Sequence, residues 1–145
     1  MDLSEDGRTC IQSEEKLALI PYKDGGGVWT WGYGHAQGPH ETVPDQIDED
    51  EANSLLDKDT AWAVKDVNHI LQSDVPQNIF DALVSFLFNI GLSELRALPH
   101  RTLDAIIAQD WPLVGKLMMN WVHDNGKFVQ GLYNRRKREV DLLLS

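Results

Sequence analysis

A single cysteine, Cys10, leaves no partner for an internal disulfide, so stability has to come from packing. No stretch reaches the ~20 apolar residues of a bilayer-spanning helix, and no stable membrane association is expected. The opening Met1-Asp2-Leu3-Ser4-Glu5-Asp6 lacks the basic start and apolar run of an export signal, so retention in the cytoplasm is the expectation. Cationic surplus is missing too: 13 Lys and Arg stand against 23 Asp and Glu, for a net charge of −10. The one dense basic cluster, Arg135-Arg136-Lys137-Arg138, is too small a footprint for a phosphate backbone, which argues against nucleic acid as a partner. His35 and His40 have no third ligand nearby in the chain, so neither a metal site nor another cofactor is expected. Internal repeats and low-complexity tracts are also absent.

What is present suits one domain over residues 1–145, expected to be a monomer, since 42% hydrophobic content supplies a real core. The acidic excess lies in the first half: residues 1–72 carry 15 acidic against 5 basic side chains, and residues 73–145 carry 8 of each. Most of the chain reads as helix. A first helix from about Ser4 is expected to end at Pro21, with Ile11, Glu15 and Leu19 along one side. After the turn Asp24-Gly25-Gly26-Gly27, residues 28–35 alternate as a strand. Trp29, Trp31, Tyr33 and His35 form its bulky face, and Val28, Thr30, Gly32 and Gly34 a bare face that a ligand can approach.

Residues 36–47 read as loop, and a long helix follows from about Asp48 to Leu71. Pro76 opens the next helix, which is apolar almost all round through Ile90 and therefore buried. Three more helices are expected: Thr102 to Ala108 with a Thr cap, Trp111 to His123 with Pro112 in its first turn, and about Asn134 to Leu144. The last carries its basic cluster at its start, where the helix dipole disfavours cations, so an acidic group is expected to face it. The class is α+β, predominantly α.

The chemistry concentrates between residues 15 and 35. Glu15 and Asp24 are two carboxylates in different settings, able to divide acid and base work on a sugar bond, and Thr30 is a small hydroxyl able to hold an attacking water. Each also has a plainer reading: Glu15 as a surface acid, Asp24 as a turn residue bonding its own backbone, Thr30 as a strand former, His35 as a packed histidine.

Glu15, Asp24 and Thr30, with 8 and then 5 residues between them and Gly32-Tyr33-Gly34-His35 directly after, resemble the phage-type lysozymes of glycoside hydrolase family 24. The resemblance continues through A-L-V-S-F-L-F-N-I-G at 82–91, R-T-L at 101–103, W-V-H-D-N-G-K-F-V-Q-G-L at 121–132 and N-R-R-K-R-E at 134–139. It implies a lysozyme-like two-lobed fold: a small β lobe over about 1–47, a connecting helix over about 48–71, and a helical lobe over about 72–145. It implies a muramidase cutting the β-1,4 bond from N-acetylmuramic acid to N-acetylglucosamine in peptidoglycan. Glu15 is then the proton donor, Asp24 places or activates water, and Thr30 orients it. Gly32, Gly34, Phe88 and Asn89 line the sugar groove, Arg135 approaches Glu15, and His35 pairs with Asp59 across the lobes. In biological terms it implies a phage or prophage endolysin, held in the host cytoplasm until a membrane-permeabilising holin releases it to the wall.

The family commonly has an aromatic and a glycine beside the glutamate; here Glu14 and Lys16 stand there. Glu14 is expected to raise and Lys16 to lower the pKa of Glu15, so the pH optimum of the family does not carry over. Two other classes stay open on the residues: a peptidase or amidase acting on the peptide stems through Cys10 or the histidines, and a wall-binding module without turnover.

Overall fold

In the computed structural model, which describes residues Met1–Ser145, the first helix stops well short of Pro21. Helix α1 spans Glu5–Gln12. The Glu14 and Glu15 amides then bond back three residues, to the Ile11 and Gln12 carbonyls at 3.0 and 3.1 Å, and these tight turns end it. Strand β1 follows at Leu17–Lys23, so Pro21 belongs to a strand. Proline is tolerated there because β1 is the outer strand of an antiparallel sheet ordered β1-β2-β3, with β2 at Trp29–Tyr33 and β3 at His35–Ala36. It also sits in a bulge: Ala18 pairs with Gly32 and Tyr22 with Thr30, so residues 19–21 lie opposite the single residue 31. Glu15 is therefore not on a helix and shares no stripe with Ile11 and Leu19. Ile11 is fully buried, whereas Leu19 is an exposed strand residue.

The run expected as one strand to His35 instead reverses at Gly34. Trp31 and His35 become cross-strand partners and meet edge to face with ring centroids 4.9 Å apart. Trp31, Ile47 and Ala52 form the core here, with Leu17, Tyr33, Val43 and Leu55 packed around them.

Helix α2 covers Glu49–Leu71. Its start is a reciprocal cap: the Glu51 amide donates to Asp48 Oδ1 at 2.8 Å and the Asp48 amide donates to Glu51 Oε2 at 3.4 Å. Ala52, Leu56, Thr60, Ala63, Val67 and Leu71 are its buried positions, at helical spacing. The chain divides within this helix: Ile11–Ala61 make one compact unit, and Met1–Cys10 with Trp62–Ser145 make the other.

The second unit is helical. Helix α3, Gln77–Ile90, is buried continuously from Ile79 to Leu87, each large apolar side chain contributing about 1.5–3 kcal/mol by burial. A short α4 (Leu92–Arg96), α5 (Arg101–Ile107), α6 (Trp111–Met118) and α7 (Gln130–Leu143) complete it, and α3 packs most extensively on α7.

Three expectations need correction. The α5 N-cap is His100, and Thr102 is buried inside the first turn. Asp110 caps α6 by accepting from the Leu113 amide at 3.2 Å, but the helix stops at Met118. Beyond it a hairpin pairs β4 (His123–Asp124) with β5 (Lys127–Phe128) through Asn125-Gly126, both at positive φ (50° and 76°) as a type I′ turn requires. Helix α7 begins at Gln130, which puts Arg135–Arg138 in its middle rather than at its start, beyond the reach of the dipole at its first turn. No helix is long and apolar enough to cross a membrane.

Asp81 on α3 is buried yet satisfied, accepting from the Ser4 amide at 3.0 Å, from the Ser4 hydroxyl, and from Gln77 Nε2 at 2.9 Å. Its carboxyl lies against Gly7, where an added Cβ would sit 2.6 Å from Cγ. Glycine to alanine within a helix ordinarily stabilises by about 1 kcal/mol. Here overpacking outweighs propensity, so Gly7→Ala is expected to destabilise by about 1–3 kcal/mol in denaturant titration. A gain in stability would show that Asp81 does not confine this glycine.

Candidate functional site

The site residues named from the sequence fall in both units. Glu15, Asp24, Thr30, Gly32, Gly34, His35 and Asp59 lie in Ile11–Ala61; Phe88, Asn89 and Arg135 lie in the other.

Glu15 is half-buried in the turn after α1, and its carboxylate rests on the tip of the β2–β3 hairpin. A Cβ on Gly34 would lie 2.8 Å from Glu15 Oε2, and Gly34 has φ +75°. Two independent constraints therefore ask for glycine: the left-handed backbone and the carboxylate seated where a side chain would begin. Gly32 differs. At φ +66° its missing side chain would point to Ala52 Cα and Leu55 Cδ1, each 3.6 Å away, so the bare face expected to be open is filled by α2 at this position.

Thr30 is buried at 5% exposure, and its hydroxyl donates to the Val28 carbonyl at 3.1 Å. The proton being committed, Oγ1 remains free to accept. Asp24 builds the β1–β2 turn: its Oδ1 accepts from the Gly26 and Val28 amides, both at 2.9 Å, while its own amide donates to Val28 O at 2.9 Å. One carboxylate oxygen thus fixes the loop and the other faces solvent.

His35 pairs with Asp59 inside a single unit rather than across two lobes. Nδ1 lies 2.8 and 3.0 Å from the two Asp59 oxygens, and Nε2 lies 2.8 Å from Glu41 Oε1, a partner the sequence reading missed. The imidazole is only 13% exposed. Burial pulls its pKa down, but hydrogen bonds and charge from Glu41 and Asp59 outweigh this and raise it above the usual value. Glu41 is held low, first by the Gly38 amide at 2.9 Å and then by His35.

On the helical unit the basic cluster has its acidic neighbour on its own helix. Glu139 is fully buried and accepts from Arg135 Nε at 3.1 Å, from Arg136 Nη2 at 3.2 Å and from the Ser85 hydroxyl at 2.7 Å. Arg136 Nε lies 2.8 Å from its other oxygen, and Arg135 also donates to the Ser85 carbonyl at 3.3 Å. Burial pushes the Glu139 carboxyl up in pKa while the two guanidiniums pull against it. Its positions three and four after the arginines are legible in the sequence as helical pairs, although the N-R-R-K-R-E motif at 134–139 assigned a role only to Arg135.

Arg136 is fully buried and also donates to Asn89 Oδ1 at 2.7 Å. Asn89 is exposed and lines a cavity of about 540 Å³ with Glu94, Trp121, His123 and Asp124 among others. Phe88 is half-buried, its ring centroid 6.3 Å from that of Trp62. No three His, Cys, Asp or Glu side chains are grouped as a metal ion requires.

Gly34→Ala is expected to cost about 1 kcal/mol of stability through the left-handed backbone. It should also displace the Glu15 carboxylate from its seat, visible as a moved Glu15 side chain in a crystal structure of the folded variant. An unmoved carboxylate would refute the coupling. For His35, a raised folded pKa means the stabilisation is complete below about 6.5 and is lost as pH rises through the folded value. Glu41, held low, works oppositely: its contribution is present above about 4.5 and is lost as pH falls through its folded value. The difference in melting temperature between wild type and His35→Gln should therefore be greatest at roughly pH 5–6 and shrink towards alkaline pH. A difference independent of pH would contradict this network.

Residues 12–139 match the phage lysozyme family. The chain is 34% identical over 147 residues to the endolysin of Bacillus phage B103, covering all of this chain and 55% of that protein. It thus spans about half the length of that relative. The endolysin from Escherichia coli O157:H7 phage FAHEc1 has the same fold at TM-score 0.86 and 32% identity, over 100% of this chain and 94% of that one. The muramidase domain of SpmX from Asticaccaulis excentricus superposes at TM-score 0.83 with 30% identity, over 99% and 98% of the two chains. A correspondence running from residue 12 to residue 139, on a fold shared from end to end, makes this chain a member of the phage lysozyme family.

Proposed function

We propose that the chain is a muramidase that hydrolyses the β-1,4 bond from N-acetylmuramic acid to N-acetylglucosamine in bacterial peptidoglycan, serving a phage or prophage as its endolysin. The observation that carries this reading is the seating of Glu15, a half-buried carboxylate laid on the glycine backbone of the Gly34 turn, within a chain of the phage lysozyme family. Its similarity to phage endolysins and to a muramidase domain supports the substrate class.

In this reading Glu15 is the general acid that protonates the leaving glycosidic oxygen. Its carboxyl is seated against the side-chain-free backbone of Gly34, where a proton can be handed to a bound sugar oxygen. Asp24 and Thr30 manage the water. The outward Asp24 oxygen accepts a proton or hydrogen bond from it, and Thr30, whose own proton goes to Val28, accepts from it and so turns a water lone pair outward. Gly34 on the β unit and, separately, Phe88 and Asn89 on the helical unit are the residues assigned to glycan contact, Gly32 being taken up by packing on α2, and the His35–Asp59–Glu41 network stiffens the hairpin beneath Glu15. A membrane-permeabilising holin gives the protein its route from the host cytoplasm to the wall.

Glu15→Gln keeps the shape and removes the proton. It should retain the fold by circular dichroism while the release of reducing sugar ends from purified peptidoglycan falls at least about 10²-fold. Retained activity would end the assignment, and mass spectra showing cut peptide stems with intact glycan would replace it with a peptidase or amidase.

A further inference from the structure

The helical unit contains a hydrogen-bond relay that the acid and water chemistry does not use. Arg136 has no accessible surface, and on one side it is ion-paired with Glu139 at 2.8 Å. On the other it donates to Asn89 Oδ1 at 2.7 Å. A guanidinium carries only donors, so it accepts nothing from an amide NH₂. The amide of Asn89 is thereby locked in one of its two orientations: the oxygen is turned to Arg136, and Nδ2, which bonds to nothing else in the protein, is left to donate at the cavity that Asn89 lines.

The same guanidinium supports a second wall of that cavity. Its Cζ lies 5.0 Å over the Phe86 ring, and Phe86 meets Trp121 edge to face at 6.0 Å. One buried cation therefore backs both the polar and the aromatic face of the cavity.

We propose that Arg136, anchored by Glu139, is a positioning residue that fixes Asn89 as a hydrogen-bond donor to an amide carbonyl of the peptidoglycan strand. The chemistry selects a carbonyl because the donor is neutral and cannot turn over to offer its acceptor end. Two sources in the wall carry such a group: the N-acetyl substituents of the sugars and the peptide stems. The inference rests on the muramidase reading above.

Asn89→Asp separates this role from a structural one. The exposed carboxylate still accepts from Arg136, and more strongly, so the melting temperature should stay at or above that of wild type. The outward donor, however, becomes an acceptor facing an acceptor. Initial rates on soluble peptidoglycan strands should show KM raised about tenfold with kcat little changed. Strands stripped of their stems distinguish the sources: a KM rise on both substrates identifies the N-acetyl carbonyl, and a rise confined to stem-bearing strands identifies the peptide. An unchanged KM on both overturns the proposal.

Arg136→Lys, which keeps an obligate donor under Asn89, should hold KM nearer the wild-type value than Arg136→Met, which leaves the amide able to turn. If Arg136→Met does not fold, Asn89→Asp alone decides. Wild-type protein that released no reducing ends from either substrate would overturn the underlying reading as well, an outcome distinct from a variant that merely matches wild type.

Discussion

Glu139 has no water to turn to. Its carboxylate is held wholly inside the helical unit by two arginines and a serine hydroxyl, and those three groups come from the two helices, α3 and α7, that pack most closely there. Removing either partner of such a pair leaves an uncompensated charge, which typically costs 3–5 kcal/mol, so the arrangement specifies one register of α7 against α3. Any slide of one helix along the other would separate Ser85 from Glu139 and Arg136 from Asn89. The apolar run of α3 supplies the larger share of the burial, but apolar contacts tolerate sliding far better than a bidentate ion pair does.

The β unit answers a comparable problem with backbone geometry. A carboxylate has to be kept partly out of water. The chain achieves this by ending α1 early and bringing Glu15 onto a turn whose residue has no side chain. Gly34 gives room, the cross-strand Trp31 and His35 contact holds the turn, and Asp59 and Glu41 clamp the imidazole from both ends. Gly32, although adjacent in the same motif, is needed for a different reason, namely the close approach of α2. Two glycines of one sequence signature thus serve packing and chemistry separately.

How much of this was readable in the sequence varies with how local its cause is. Helix α2 was legible because its apolar spacing and its Asp48 and Glu51 cap both lie within the segment. Helix α3 was legible from its unbroken apolar run. Strand β1 was not, because L-A-L-I-P-Y has no period of its own and becomes a strand only by pairing with β2. The start of α7 was hidden for want of a side-chain cap at Val129, which made the basic cluster look like the beginning of the helix. The β4–β5 turn carries a strong local signal in Asn125-Gly126, which a helix read through to His123 overlooks. Among candidate site residues, residue type and the family resemblance together pointed to Glu15, Asp24 and Thr30, whereas Glu41 reaches His35 from an irregular loop that no period describes.

The bulge around Pro21 bears on how this protein behaves in a crowded cell. Strand β1 is an edge, and Leu19, Ile20 and Tyr22 on it are exposed at 37%, 67% and 46%. Such a strand, flat and continuous, would invite a second chain to add to the sheet. Here Pro21 removes one donor, the bulge breaks the line, and the Leu19 carbonyl is already occupied by the Ile47 amide at 2.9 Å. The edge is apolar in its side chains but spoiled as a template for a further strand.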